Sequence, residues 1–305
     1  MSSSIPKPYF IHTDKPVFST VPEQLRLYII EQLDQALAVS HSEQRESIES
    51  IHDLRVLCKR LRAYWRLLRE CVPSDTYHAA ETRLCLTAKK LAGARDQAVL
   101  MASLQQLSLK VAPSVRLLVA EWIQGLKEEA KKEQEAWPID WALVIAELEQ
   151  EKSTWRALDC GSGDEQSGYS SPNTSKKVAK GLKRTSKRSF KLAQKSLDKK
   201  KAIRQRHQWR KWVKYQFYQW KWLWQHHVID TKEHKKAVKQ LDALGELLGQ
   251  EHDFELQQSF LALKETAFPQ YQDEIEELKL ANRQRLKTLK KQIKQQYQKL
   301  LKHLD

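Results

Sequence analysis

A histidine begins a run of basic residues whose spacing suits the binding of an anion. Arg55, Lys59 and Arg66 follow His52 at distances of three, seven and fourteen residues. At about 100° per residue, these spacings place all four side chains on one face of a helix. The same series recurs in the second half of the chain, as His207, Arg210, Lys214 and Lys221. Each run therefore predicts a helix with one basic face.

Basic rows of this kind suit a ligand that carries many negative charges in a line. Arginine can donate two hydrogen bonds to one phosphate group, whereas lysine acts as a point charge. Histidine donates one N–H while it is neutral, and a nearby polyanion favours its charged form. The chemistry that these rows predict is therefore the binding of an extended polyanion.

The positive charge of the chain is concentrated in one segment. The formal net charge is +15, and residues 176–214 alone hold 17 basic residues against one acid, Asp198. A third basic row in this segment precedes the second histidine, and it consists of Lys180, Lys183, Arg184, Lys187 and Lys191. A fourth row, for which a solvated charged face is the alternative, consists of Lys232, Lys235, Lys236 and Lys239. Such an excess predicts nucleic acid, an anionic membrane or a phosphate polymer as the partner.

A second motif follows each histidine at a similar distance. LAGARD (91–96) ends 44 residues after His52, and LGQEHD (248–253) ends 46 residues after His207. Two motifs that recur in the same order indicate an internal duplication with a repeat of about 150 residues.

The aspartate that ends each of these motifs has a structural interpretation. We expect Asp96 and Asp253 to be helix N-caps, or to orient a basic side chain, and not to act as catalysts. Arg95, beside the first of them, is a candidate ligand contact, with a purely structural role as the alternative.

Helical periodicity predicts an all-α fold. Eight glycines and nine prolines are few for 305 residues, which disfavours β-sandwiches and barrels. Strand-like alternation does not occur in the sequence. The predicted helices cover residues 22–39, 44–71, 75–93, 95–110, 113–135, 139–158, 176–197, 201–227, 231–249, 252–266 and 270–303.

The domain organisation follows from one change of composition near the middle of the chain. Residues 159–175 are rich in Gly, Ser, Asp and Asn and are predicted to be a flexible linker. We expect an irregular arm at 1–21, a first helical half at 22–158 and a second helical half at 176–305. The apolar faces opposite the basic rows are predicted core: Leu54, Leu57, Leu61, Trp65 and Leu68, then Trp209, Trp212, Val213, Trp220 and Leu223.

Taken together, these motifs resemble the CHAD family, whose name stands for conserved histidine α-helical domain. The likeness covers residues 22–300 and rests first on HDLR-x3-K-R-L-R at 52–62 and the R-D pair at 95–96. In the second half, H-x2-R-K-x2-K at 207–214 is followed by L-G-x3-D at 248–253. The motifs add Arg62 and Lys211 to the candidate site.

The second half departs from the family pattern at three positions. Tyr215 and Phe217 stand where the family usually carries basic residues, and His252 replaces a usual Asn. Tyr218 fits a position that is aromatic in the family. The second motif is therefore the more degenerate of the two.

The resemblance implies two pseudo-symmetric helical bundles, produced by an internal duplication, with a central basic channel or groove that binds inorganic polyphosphate without catalysis. The implied partners are polyphosphate and an enzyme or granule protein of polyphosphate metabolism. The ExExK signature of a triphosphate tunnel enzyme does not occur, which indicates a stand-alone domain. The candidate contacts are His52, Arg55, Lys59, Arg62, Arg66, Arg95, Lys180, Lys183, Arg184, Lys187, His207, Arg210, Lys211, Lys214, Lys221 and Lys239.

Several other classes lack their signatures in this sequence. No apolar run is long enough for a membrane span, and the first residues lack the apolar core of a secretory signal. The four cysteines form no CxxC pair, which fits a cytoplasmic protein. The family resemblance implies a location at polyphosphate granules. His226, His227 and His234 lack partners at a recognised zinc spacing, so no metal or other cofactor is expected. No phosphate loop or acid–base carboxylate pair occurs, so a non-enzymatic role is expected.

Two alternative functions remain open, and a scaffold that docks another protein onto polyphosphate through the long C-terminal helix is compatible with the first hypothesis, polyphosphate binding. Nucleic-acid binding is compatible with the charge, although no motif that reads DNA or RNA is recognised. A phosphate-polymer enzyme, with His52 as phosphoryl acceptor, is the other alternative.

Overall fold

The predicted all-α class is confirmed by a computed structural model, which describes residues 16–91, 93–136, 138–158, 172–197 and 202–302. These residues form α-helices and short 3-10 turns, and no strand occurs among them. The α-helices are α1 (Val21–His41), α2 (Ile48–Leu67), α3 (Ser74–Lys90), α4 (Gly93–Ser108), α5 (Pro113–Ala136), α6 (Trp141–Arg156), α7 (Pro172–Leu197), α8 (Ala202–Gln225), α9 (Lys232–Ala267) and α10 (Gln272–Leu301).

Two predicted boundaries were wrong. The helices predicted at 231–249 and 252–266 are one continuous helix, α9. A single glycine inside a helix lowers its stability by about 1 kcal/mol. The burial of Leu248 and Phe254, which lie on either side of the predicted break between residues 249 and 252, offsets such a cost. The other error is the end of the linker, because α7 already begins at Pro172, a residue type favoured in the first helical turn. Residues 1–15 of the predicted arm and 159–171 of the predicted linker lie outside the described residues.

Tertiary contacts divide the chain into two compact units. Unit 1 comprises Met1–Lys90, Asp140–Ala243 and Tyr297–Asp305, and unit 2 comprises Leu91–Ile139 and Leu244–Gln296. Each unit therefore draws on both halves of the sequence. The internal duplication stays a prediction.

Helix α2 is surrounded by its neighbours in unit 1, since it contacts α1, α3, α7 and α8. Its apolar face is buried, as predicted, including Leu61 and Trp65, which are both fully covered. The Trp65 ring packs against Trp155 with 4.2 Å between ring centroids. Glu151 is also fully buried and accepts hydrogen bonds from both indole N–H groups and from Arg83. These bonds satisfy a carboxylate that burial alone would destabilise.

Helices α2 and α7 approach each other closely enough for their backbones to touch. At Gly181 of α7, a methyl group in place of the hydrogen would lie 2.9 Å from the Leu67 carbonyl carbon and 3.1 Å from the Arg66 carbonyl oxygen. Next to this contact, the amide of Gln219 on α8 donates hydrogen bonds to the Ala63 carbonyl oxygen (2.7 Å) and to the Thr185 hydroxyl (3.2 Å). The small residues Gly181 and Thr185 of α7 thus allow α2, α7 and α8 to pack closely together.

Unit 2 has an apolar core of its own. Helices α4 and α5 contact each other, and segments of α9 and α10 contribute to the same cluster. Its buried members are Leu104, Leu107, Val111, Val115, Leu118, Val119, Trp122, Leu126, Phe260, Leu261, Ile275 and Leu278.

We expect Gly181→Ala to lower the free energy of unfolding by about 3 kcal/mol, because backbone atoms of α2 cannot move aside as a flexible side chain would. Gly125→Ala on α5 is the matched control, since a methyl group there meets no atom within 4 Å. The control should raise stability by about 0.5–1 kcal/mol because alanine is the better helix former. Urea unfolding of both variants measures the difference, and equal effects would contradict the close contact.

Candidate functional site

The predicted cations of α2 are held at intermediate depth and do not project into open solvent. His52, Arg55, Lys59, Arg62 and Arg66 are all partly buried, because helices pack against α2 on several sides. Arg55 donates a hydrogen bond of 3.0 Å to the carbonyl oxygen of Ala88 on α3. The basic face that the spacing predicted is therefore present, but it lies partly inside unit 1.

Arg62 and Arg66 share one carboxylate, Glu81 on α3. Arg62 donates to Glu81 Oε1 from Nε at 2.9 Å, and Arg66 donates to the same oxygen from Nη2 at 2.7 Å. Burial by itself would raise the pKa of Glu81, but the hydrogen bonds from Arg66 and Arg62 outweigh it, so that this pKa lies below its ordinary value. Glu81 is therefore ionised at neutral pH and neutralises one of the two guanidinium charges.

Aromatic rings of α8 cover the other side of these guanidinium groups. The Arg66 guanidinium carbon lies 4.2 Å from the centroid of the Tyr215 ring and 5.5 Å from that of Trp212. Arg62 lies 5.7 Å from Tyr215, and Arg188 of α7 lies 6.0 Å from Trp212. Cation–π attraction of this kind strengthens when the groups are partly removed from water. The electron-rich rings thus help to hold positive charge at this depth.

The prediction that Trp212 is a core residue was wrong, since its side chain is only partly buried and lies beside Arg66 and Arg188. Trp209, Val213, Trp220 and Leu223 are buried as predicted. Trp222, which the apolar stripe did not include, is also buried and stacks on His226 with 4.5 Å between ring centroids. So many large aromatic residues on α8 widen its buried surface beyond a single stripe.

Lys211 adds a further positive charge next to Arg62. Partial desolvation and then the charge of Arg62 lower the pKa of the Lys211 ammonium group. Two cations that raise each other's energy in this way mark a place where positive charge exceeds the local negative charge. We call Arg62, Arg66, Arg188 and Lys211, together with the Glu81 carboxylate that pairs with the first two, the basic cluster.

The other predicted cations of α8 are partly buried along the same helix. His207, Arg210, Lys214 and Lys221 all have intermediate exposure. The ammonium groups of Lys214 and Lys221 lie 5.3 and 5.6 Å from the centroid of the Phe217 ring. Lys214 also lies 3.6 Å from a carboxylate oxygen of Asp242.

The predicted row on α7 is more exposed than the rows on α2 and α8. Lys183 and Lys187 are exposed, whereas Lys180 and Arg184 form ion pairs with Glu70, which follows the end of α2. Hydrogen bonds from Lys180, followed by those from Arg184, lower the pKa of the Glu70 carboxyl. The pairing links α7 to α2 and leaves one positive charge in excess there.

Two predicted contacts lie elsewhere. Lys239 is exposed on α9, and Arg95 belongs to unit 2, where its side chain lies outside the described residues. Asp96 falls within the first turn of α4, and its side chain is likewise not described. Of the two roles predicted for Asp253, the N-cap was wrong, because this residue lies in the middle of α9, and the orientation of a basic side chain stays a prediction.

Sequence reasoning missed the carboxylates that organise the site. Glu81 lies nineteen residues from Arg62 on another helix, and no local spacing connects the two positions. Arg188 belongs to the basic segment 176–214 but lies off the row that was singled out. The charge density of that segment was the only sequence signal for Arg188, and Glu81 had none.

The remaining candidates for chemistry have structural explanations. His234 is buried, stacks on Trp220 at 4.7 Å and makes a hydrogen bond of 3.0 Å with the Trp220 carbonyl oxygen. Burial, reinforced by the charge of Glu151, raises the pKa of the Cys58 thiol to about 12, which makes it an inert core residue. No group of three metal-ligating side chains occurs in the part of the chain that the structure describes.

The chain belongs to the CHAD family, because the model of the CHAD domain matches residues 27–262. The matched region contains α2, α3, α7 and α8, and therefore all of the basic cluster, whereas α10 lies beyond it. A comparison with curated proteins gives no significant match. Among the described residues, no helix combines the length and the hydropathy that crossing a bilayer requires.

We expect Glu81→Gln to lower the free energy of unfolding by about 1–3 kcal/mol at pH 7, since it leaves two partly buried guanidinium groups without their charged acceptor. The folded-state pKa of Glu81 is lowered, so its stabilisation is complete above the ordinary pKa of about 4.5 and is lost as the pH falls through the lower value. Denaturant unfolding between pH 7 and pH 3 measures both effects.

Glu149→Gln, at an exposed position on α6, is the control and should leave the free energy of unfolding within about 0.5 kcal/mol of the wild-type value. If Glu81→Gln were as stable as this control, the arginines would not depend on Glu81.

Proposed function

We propose that this protein binds inorganic polyphosphate through the basic cluster and the exposed lysines of α7, and that it does so without catalysis. The observation that carries the proposal is the excess of cations in the basic cluster. Arg62 and Arg66 share the carboxylate of Glu81, and Arg188 and Lys211 add positive charge beside Trp212 and Arg62. Membership of the CHAD family supports a polyphosphate-related role.

The basic cluster combines the partly buried Arg62 and Arg66 with the exposed Arg188 and Lys211, an arrangement that suits a flexible linear polyanion. Partly buried cations interact with an anion more strongly than exposed ones, because less water screens the charges. Arg62 and Arg66 are oriented by Glu81 and by the rings of Trp212 and Tyr215, so less side-chain entropy is lost when a ligand binds. The exposed Lys183 and Lys187 can follow the polymer further along α7.

The non-catalytic part of the proposal rests on the state of Glu81. This carboxylate is ionised and accepts hydrogen bonds from two arginines, so it is poorly suited to act as a general acid or base. We expect polyphosphate incubated with the protein to keep its chain length and to release no phosphate. Phosphate release, or phosphorylation of His52, would replace this interpretation with the enzymatic one.

We also propose the duplicated architecture and the basic channel that the family resemblance implies. In this architecture, the two halves of the sequence derive from one duplicated helical unit, and their basic faces line a channel or groove. Polyphosphate and its granule or metabolic proteins are the partners, and the cytoplasm is the location.

The first experiment compares ligands on the full chain in about 0.15 M salt. We expect long-chain polyphosphate to bind more tightly than duplex DNA or RNA at equal phosphate concentration. Equal binding of all three polymers would favour a general polyanion surface, the interpretation supported by the exposed lysines of α7.

Variants then test whether the basic cluster is the binding surface. Arg188→Gln combined with Lys211→Gln should weaken polyphosphate binding about tenfold or more, because each residue supplies a charged interaction with a phosphate. The slope of log affinity against log salt should become shallower by about 1 for each cation removed from the binding surface. Fluorescence anisotropy with labelled polyphosphate at several salt concentrations measures both quantities.

The matched control is Lys290→Gln combined with Lys294→Gln, which removes the same charge from exposed positions on α10. It should keep affinity within about twofold of wild type. An equal loss of affinity in both double variants would show that only the net charge matters and would contradict a defined site.

Glu81→Gln provides a test in the opposite direction. Because Glu81 competes with the ligand for Arg62 and Arg66, its neutralisation should raise polyphosphate affinity by about threefold or more, and Glu149→Gln should not. Affinity unchanged by Glu81→Gln, measured under conditions where the variant is folded, would place the ligand away from these arginines.

A further inference from the structure

Unit 2 contains an open surface cavity of about 370 Å³ whose lining is mainly polar and carries no acidic side chain among the described residues. Two basic residues line it, Lys110 in the turn that follows α4 and Arg285 on α10. The other polar lining residues are Gln250, Gln284, Thr288 and Gln292. None of these residues belongs to the basic cluster, which lies in unit 1.

Arg285 is a charged side chain that has no counter-charge among the described residues. Its guanidinium carbon lies 4.6 Å from the centroid of the Phe254 ring, and its Nη1 atom is buried without a hydrogen-bond partner in the part of the chain that the structure describes. No described carboxylate forms an ion pair with it, and burial lowers the pKa of its guanidinium group. A donor left in this state destabilises the folded chain, unless a ligand supplies the missing acceptor.

The backbone segments that carry Arg285 and Lys110 are tied to neighbouring elements. One turn earlier on α10, the amide of Asn282 donates a hydrogen bond of 3.2 Å to the carbonyl oxygen of Phe254 on α9. Glu277, also on α10, accepts a hydrogen bond of 2.9 Å from the backbone N–H of Ala112. This second bond ties α10 to the turn that carries Lys110, so both cations of the cavity are attached to a defined framework.

A second cavity of unit 2 shows that this arrangement is not a general property of the surface. It has a volume of about 310 Å³ and is lined by two acidic residues, Glu121 and Glu129, together with Lys264. The Lys264 ammonium group lies 5.2 Å from the ring centroids of both Phe260 and Phe268. The cation of this second cavity, Lys264, thus has aromatic partners within the fold. The carboxylates of Glu121 and Glu129 would repel an anion there.

We propose that the cavity between Lys110 and Arg285 is a separate binding site for a short phosphate anion with one to three phosphoryl groups. Arginine would donate two hydrogen bonds to one phosphate group, lysine would contribute a point charge, and the glutamine amides would donate to the remaining oxygens. The volume suits a compact anion. The site is independent of polyphosphate binding by the basic cluster, and its arginine lies on a helix beyond the matched family region.

The test is isothermal titration of the full chain with inorganic phosphate, pyrophosphate and tripolyphosphate, repeated on Arg285→Gln. We expect at least one of the three to bind the wild type, and Arg285→Gln to weaken it about tenfold or more. Arg283→Gln is the matched control, because this arginine lies on the same helix, is 58% exposed and is paired with Glu276 at 3.7 Å. It should leave the affinity within about twofold.

We expect Arg285→Gln to fold, because it removes a partly buried charge that has no described counter-charge. We expect its thermal midpoint without ligand to equal or exceed that of the wild type. Lys110→Gln gives a second, milder variant that should also weaken binding. Failure of all three anions to bind the wild type, or equal binding to wild type and Arg285→Gln, would overturn the site.

Further arms of the experiment separate this site from the basic cluster and identify the ligand chemistry. The variant with Arg188→Gln and Lys211→Gln should keep its affinity for the short anion while losing long-chain polyphosphate. The reverse result, with the short anion lost in that variant and retained in Arg285→Gln, would assign the anion to the basic cluster. Citrate should bind weakly, and binding as tight as that of tripolyphosphate would contradict selectivity for phosphate.

Discussion

The arginine pair on α2 and its shared carboxylate are the interaction on which the arrangement of unit 1 depends. Two guanidinium groups lie one helical turn apart and are partly buried, a position that would be costly if their charges were left alone. Glu81 on α3 neutralises one charge, and the rings of Trp212 and Tyr215 on α8 lower the cost of the other. Three helices must therefore hold their side chains in register around this pair.

The packing of α7 against α2 is the second condition for this register. Backbone contact at Gly181 and the hydrogen bond from Gln219 to the Ala63 carbonyl bring α2, α7 and α8 together on a surface of small residues. The same packing brings Arg188 to the ring of Trp212, close to Arg66. A close-packed interior and a concentration of positive charge are thus products of one set of helix contacts.

The two units compensate positive charge differently. In unit 1 every arginine of the basic cluster has a carboxylate or an aromatic ring beside it, and the excess charge is spread over several side chains. In unit 2 the described partner of Arg285 is the Phe254 ring, and one guanidinium nitrogen is buried and unbonded. Charged side chains that lack a counter-charge and lower the stability of the fold are common at binding sites, because the bound ligand supplies the missing counter-charge.

What the sequence determined by itself is local. Spacings of three, seven and fourteen residues were enough to predict the helices that carry His52 and His207, their basic faces and most of their buried faces, because helical periodicity is a property of neighbouring residues. The motifs also led to the CHAD family, and the family model matches. The tertiary structure alone decided that Glu81 would pair with Arg62 and Arg66 and that Trp212 would lie beside cations and outside the core. It also made α9 continuous and placed Arg285 over Phe254. These outcomes depend on which helices meet, and contacts between residues far apart in the chain leave no periodic pattern in the sequence.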